Sequence, residues 1–179
     1  VDAVFVSTDD SSIKKTAIQY GANVIDRPIE LAGDLEPTST ALKHALEVLP
    51  KTIEHVILLQ PTNPLRPKKM LEEAFITYQQ KECSSLFTVS RSHQKFGKII
   101  NGFFQPFNYT IGQRSQDLEP LYYENGLLYI TNANLILEQI IISENAFPLE
   151  INHIFATVDI DTAADFEYAN YLYHKYNTK

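Results

Sequence analysis

The segment Val158-Asp159-Ile160-Asp161 sets two carboxylates two residues apart. On an extended chain, residues at that spacing point the same way, so both leave a strand end together. Two like charges about 5 Å apart repel by roughly 3 kcal/mol at an effective dielectric of 20. A divalent cation removes that cost, and all-oxygen ligation completed by water suits magnesium. The plainer alternative is that Asp161 caps the next helix and Asp159 is a solvated strand end.

Gln60-Pro61-Thr62-Asn63-Pro64-Leu65-Arg66 follows an apolar run directly. Two prolines stiffen this loop and hold its amides and hydroxyls where a sheet usually meets its ligand. A polyhydroxylated ligand would suit Gln60, Thr62 and Asn63. A rigid connector satisfying its own backbone is the competing reading. Arg27 could meet a phosphate or a base, or it could pair with a nearby acid such as Glu30. Arg114 could clamp a carboxylate bidentately, against a default of a rim salt bridge. Asn125-Gly126 reads as a hairpin turn. Cys83 has no histidine at a convincing spacing, and the five histidines show no metal-ligand pattern.

These groups need elements to hold them. Residues 3–8 (AVFVST), 23–25, 55–60 (HVILLQ), 85–90 (SLFTVS) and 154–159 (IFATVD) read as short buried strands. Helices are expected after Asp9-Asp10-Ser11-Ser12, after Thr38-Ser39 and from Pro67 to about Gln80. A last helix opens on a Thr162-Ala-Ala-Asp165 capping box, with Phe166, Ala169, Leu172, Tyr173 and Tyr176 inward. The alternation of strand and helix predicts an α/β fold with a mostly parallel sheet. Ligands of such sheets bind beyond the carboxyl ends of the strands. Between residues 91 and 152 the periodicity weakens and aromatic residues crowd in, which predicts hairpins forming an inserted, partner-binding arm.

The length of 179 residues suits one domain. With 15 basic and 22 acidic residues, the net charge of −7 argues against nucleic acid as a partner. Any bound anion must be gripped by a few local cations, backbone N–H groups or a metal. One cysteine excludes an internal disulfide and agrees with a reducing compartment. No apolar run reaches the roughly 18 residues of a membrane helix. The only methionine is Met70, and Val1 already falls in an apolar run, so the chain is expected to start late within a larger domain.

Five segments in register then resemble one family: VSTDD at 6–10, GANVIDRPIELAGD at 21–34, LLQPTNPLR at 58–66, ENGLLYI at 124–130 and VDIDTAADF at 158–166. They are similar to the CMP-sialic acid synthetases (acylneuraminate cytidylyltransferases), from Val1 to about Leu172. The resemblance implies a three-layer, Rossmann-like nucleotidyltransferase fold of the glycosyltransferase-A type over residues 1–179, with a dimerisation arm at 91–152. It implies transfer of CMP from CTP to a nine-carbon acidic sugar, a magnesium ion, a homodimer and a cytoplasmic setting. Asp159 and Asp161 then resemble the metal pair, placing the ion rather than acting as nucleophile. Arg27 and Thr38 resemble nucleotide contacts. Gln60, Thr62, Arg114 and Tyr129 resemble sugar contacts, with Arg114 facing the carboxylate and Lys98 a further sugar-side cation.

Two departures qualify the match. Asn63 stands where the family often has serine, a mild change. The family's Gly/Arg/Lys-rich triphosphate loop is not found in the chain, so these residues are expected to bind CTP poorly and not to turn over. The remaining alternatives are another acidic sugar (legionaminate, pseudaminate or KDO) and a non-catalytic oligomerisation or binding member of the family.

Overall fold

A computed structural model describes residues 1–50 and 52–176. Of the single domain expected over 1–179, Lys51 and residues 177–179 lie outside the described residues. Strand β1 (Phe5–Thr8) leads into helix α1 (Ser11–Gln19), which Asp10 starts by accepting from the Ser12 and Ile13 N–H groups, each at 2.8 Å. Gly21, at φ +81°, turns the chain into β2 (Asn23–Asp26), which lies parallel to β1. A short 3-10 turn (Ile29–Leu31) and helix α2 (Thr38–Val48) follow.

The central sheet contains β3 (His55–Leu58), β4 (Ser85–Ser92), β7 (Leu121–Asn132) and β8 (Phe147–Glu150), in the order β3-β7-β4-β8. β7 is antiparallel to both β3 and β4, while β4 and β8 are parallel. β3, β4 and β8 therefore share one direction, as expected for β3 and β4, whereas β8 comes from the segment expected to form the arm; the hydrogen-bonded ladders are mixed because β7 inserts between β3 and β4. The expected strand at 55–60 stops at Leu58, where the proline loop takes over.

The 91–152 segment divides. Only β5 (Gly97–Ile100) and β6 (Phe103–Pro106) form a hairpin off the sheet; β7 and β8 return to the core. Its buried residues Leu127, Leu128 and Ile130 pack with Leu86 of β4 and with Met70, Ala74 and Tyr78 of helix α3 (Met70–Lys81). These side chains supply the apolar burial that dominates folding energetics. Helix α3 starts three residues later than expected, since Pro67 accepts from the Met70 N–H in a turn and Lys69 is left-handed at φ +66°.

Two local readings change. Asn125-Gly126 is not a hairpin turn but part of β7, as a bulge: Phe87 pairs with Tyr129 and Val89 with Glu124, so residues 125–128 lie opposite Thr88. Thr88 holds the bulge, its Oγ1 donating to Asn125 Oδ1 at 2.6 Å and accepting from the Leu128 N–H at 3.1 Å. Asn125 Nδ2 donates to Ser90 Oγ at 3.0 Å. Residues 154–159 form no strand either. Ile154–Thr157 is a 3-10 turn, started by the Phe155 N–H donating to His153 Nδ1. Phe155 and Val158 face Ala169 and Leu172 of helix α5 (Ala163–Tyr176) in a second small core. A short apolar run fits either role, and its packing partner decides. On α5 the capping box forms as expected, but Phe166, Tyr173 and Tyr176 are exposed. A short helix α4 (Ala133–Leu137) continues directly from β7. Among the described residues no helix is long and apolar enough to cross a membrane.

Candidate functional site

Three segments distant in sequence converge beyond the carboxyl end of β3. The loop after β3 turns at Gln60, whose carbonyl accepts from the Asn63 N–H at 3.2 Å. Arg66 then reaches back, with Nε donating to the Leu127 carbonyl at 2.8 Å and Nη2 to the Gln60 carbonyl at 3.0 Å. Burial lowers the pKa of this guanidinium. These two bonds fix the loop against the β7 bulge. Asn63 is 2% exposed and makes the decisive link. Its Nδ2 donates to the Asn125 carbonyl at 3.2 Å and to the Val158 carbonyl at 2.6 Å. The Ile160 N–H adds a bond to the Thr62 carbonyl at 2.8 Å.

The result is a pocket of about 280 Å³ whose lining includes Gln60, Asn63, Glu124, Gly126, Tyr129 and Asp159. Among the described residues it carries two carboxylates and no lysine or arginine. The Tyr129 hydroxyl donates to Glu124 Oε2 at 3.3 Å. Burial, then the Glu124 charge and hydrogen bond, and then the Asp159 charge push its pKa up to about 12. Tyr129 is therefore a protonated donor throughout the neutral range. A second pocket, of about 430 Å³, lies at the opposite end of the sheet around His55, Tyr78, Glu82 and Cys83, and it contains none of the expected site residues.

The structure thus brings Gln60, Tyr129 and Asp159 together and leaves the other candidates off the pocket wall. Thr62 is beside the pocket, its hydroxyl donating to Asn63 Oδ1 at 3.2 Å. Asp161 is exposed near the start of α5 and is not part of the pocket lining. Arg27 donates from Nε to Ser7 Oγ at 3.1 Å and from Nη2 to the Ser7 carbonyl, at the end of β1. Thr38 is exposed on the first turn of α2. Lys98 lies over the Phe107 ring on the hairpin. Arg114 forms a bidentate pair with Asp117, at 2.7 and 3.0 Å, which is the rim salt bridge weighed above.

The donor chemistry fits a magnesium ion. Neither Asp159 nor Asp161 accepts a hydrogen bond from the described residues, so both carboxylates are uncompensated. No group of three metal-binding side chains exists among the described residues. Magnesium commonly takes only one or two carboxylates and completes its shell with water and substrate phosphates.

Sequence reasoning named Asn63 as a ligand group rather than as the anchor of the loop, and it missed Glu124 and Asn125 as site residues. The usable signal was the apolar run LLYI straight after Asn125-Gly126, which continues one strand where a turn would have broken it.

A protein-family model described as cytidylyltransferase matches residues 1–177. The N-acylneuraminate cytidylyltransferase of Streptococcus agalactiae serotype III is 30% identical over 171 residues, covering 91% of the chain. The chain spans 40% of the length of that relative. The CMP-N,N'-diacetyllegionaminic acid synthase of Legionella pneumophila is 32% identical, with 92% of the chain and 75% of the relative covered. Among solved structures, a CMP:2-keto-3-deoxy-manno-octonic acid synthetase complexed with CTP superposes with a TM-score of 0.66 at 14% identity, covering 98% of this chain and 82% of that one. At that identity the likeness concerns the fold, which is the Rossmann-like α/β nucleotidyltransferase architecture expected from the sequence.

Proposed function

The chain is a member of the cytidylyltransferase family, and on that premise we propose that it transfers CMP from CTP to the anomeric hydroxyl of a nine-carbon acidic sugar, N-acetylneuraminate or a relative, releasing pyrophosphate. The observation that carries this reading is the convergence of Gln60, Tyr129 and Asp159 on one polar pocket beyond β3. The anomeric hydroxyl attacks the α-phosphorus of CTP and pyrophosphate leaves in line with it. Such chemistry needs positioning and charge neutralisation more than covalent help from the protein.

Asp159 and Asp161 would hold magnesium, which would supply neutralising charge for the phosphates. Gln60, Tyr129 and the neighbouring Thr62 orient the sugar. Arg27 and Thr38 serve the nucleotide side, and Arg114 with Lys98 serves the sugar carboxylate once the Asp117 pair opens. Legionaminate is the leading alternative acceptor, supported by the 32% identity to the Legionella relative. A cytoplasmic setting goes with the use of CTP.

The test is pyrophosphate release from CTP and MgCl2, with N-acetylneuraminate, legionaminate, pseudaminate or KDO as acceptor. It is run on these 179 residues and on the complete product of the gene. Release that depends on both the acid and magnesium is expected from the complete product. Little is expected from the 179 residues, whose pocket wall offers no cation to a triphosphate. No release with any acid overturns the reading.

We propose also that the protein is a homodimer through the β5–β6 hairpin. That hairpin exposes Ile99 at 78% and Phe103 at 75%, with Phe104 beside them. Exposed apolar side chains grouped in this way mark an interaction surface. Light scattering is expected to give twice the chain mass, and Phe103→Asp is expected to return the monomer. A wild-type monomer at micromolar concentration rejects the dimer.

A further inference from the structure

Two carboxylates line the pocket, and the reading above employs only Asp159. Glu124 stands at the edge of the β7 bulge, and one of its oxygens is oriented by the hydroxyl of Tyr129, a side chain only 8% exposed. The bulge itself is locked by Thr88, Asn125 and Asn63, so Glu124 projects from a rigid base. Preorganisation of this kind is what lets a surface carboxylate act as a selective contact.

The sign of the pocket decides how an acidic sugar enters it. A wall with two carboxylates and no basic side chain repels the sugar's own carboxylate. The same wall attracts hydroxyl and amide N–H donors, with which a sugar acid is well supplied. Its donor-bearing face must therefore meet Glu124. The other use of Glu124, as a further cation ligand beside Asp159, is separated by the Mn²⁺ measurement below.

We propose that Glu124 is a specificity-determining contact whose carboxylate, steadied by the Tyr129 hydroxyl, accepts hydrogen bonds from hydroxyl or amide N–H donors of the acidic sugar. This rests on the acidic-sugar reading above. Hydrogen bonds to an ionised acceptor are about twice as strong as neutral ones, so removing the side chain costs more than neutralising it.

The experiment is calorimetric titration of the sugar acid into the complete gene product with CTP and MgCl2 present. It compares wild type, Glu124→Gln and Glu124→Ala, with Mn²⁺ binding to each followed by electron paramagnetic resonance. Glu124→Ala is expected to weaken sugar binding about tenfold or more. Glu124→Gln, which keeps an acceptor oxygen, loses less. Mn²⁺ affinity and the thermal midpoint stay within error of wild type. Sugar affinity within twofold of wild type in Glu124→Ala overturns the proposal. So does a fall in Mn²⁺ affinity that matches the fall in sugar affinity, which reassigns Glu124 to the cation. A wild-type protein that binds none of N-acetylneuraminate, legionaminate, pseudaminate or KDO overturns the substrate reading itself, an outcome visible before any variant is made.

Discussion

Asp159→Asn is expected to lower magnesium-dependent turnover about 100-fold or more, since charge stabilisation by a bound metal is worth several kcal/mol and each 1.4 kcal/mol is tenfold. Asparagine preserves the shape of the side chain and removes its charge, so the loss reports on electrostatics alone. The Asp159 carboxylate accepts no hydrogen bond from the described residues. Its neutralisation therefore breaks no contact, and it relieves repulsion with Glu124 across the same pocket. The thermal midpoint should stay level or rise while activity collapses. Asp161→Asn, at a position off the pocket wall, is expected to cost less. Pyrophosphate release and Mn²⁺ binding by the same preparations check both statements, and unchanged rates for Asp159→Asn remove the metal assignment.

Gly126→Ala is the second large effect, and it acts on the fold of the site. Gly126 has φ +71°, in the left-handed region where a side chain is strained. An added Cβ would stand 2.5 Å from Asn63 Oδ1 and 2.7 Å from Gln60 Oε1. The Asn63 side chain is held by its bonds to the Asn125 and Val158 carbonyls and cannot yield freely, so the Gln60 side-chain amide must swing away. Strain and overpacking together are expected to cost about 2–4 kcal/mol. Urea unfolding should reveal this as a lower midpoint at unchanged slope. Because Gln60 is displaced, sugar binding should weaken even at temperatures where the variant is folded. A variant as stable as wild type would mean that the bulge can relax, and the close approach would then lose its assigned role.

Much of this protein is legible in its sequence where the physics is local. Asp10 before α1 and the Thr162–Asp165 box before α5 satisfy open N–H groups within a few residues, and both helices start where those signals stand. The apolar runs read as strands at 55–60 and 85–90 form strands at 55–58 and 85–92, and the polar loop between β3 and α3 is where the pocket opens. Readings failed where a segment's state depends on a remote partner. The run at 154–159 is strand-like in composition, yet it curls because Phe155 and Val158 must reach the inner face of α5.

The site divides along the same line. Residue types and spacing placed carboxylates and amides at a sheet end, because strand and loop boundaries are short-range properties, whereas Tyr129 entered only through the family resemblance. Only the tertiary structure decided which of them meet. Asn63 bonds to carbonyls 62 and 95 residues away, and Thr88 fixes a bulge 37 residues downstream. Bonds of that span are selected by how β7 inserts between β3 and β4, and strand pairing of this kind is a property of the whole packed chain that no local window encodes.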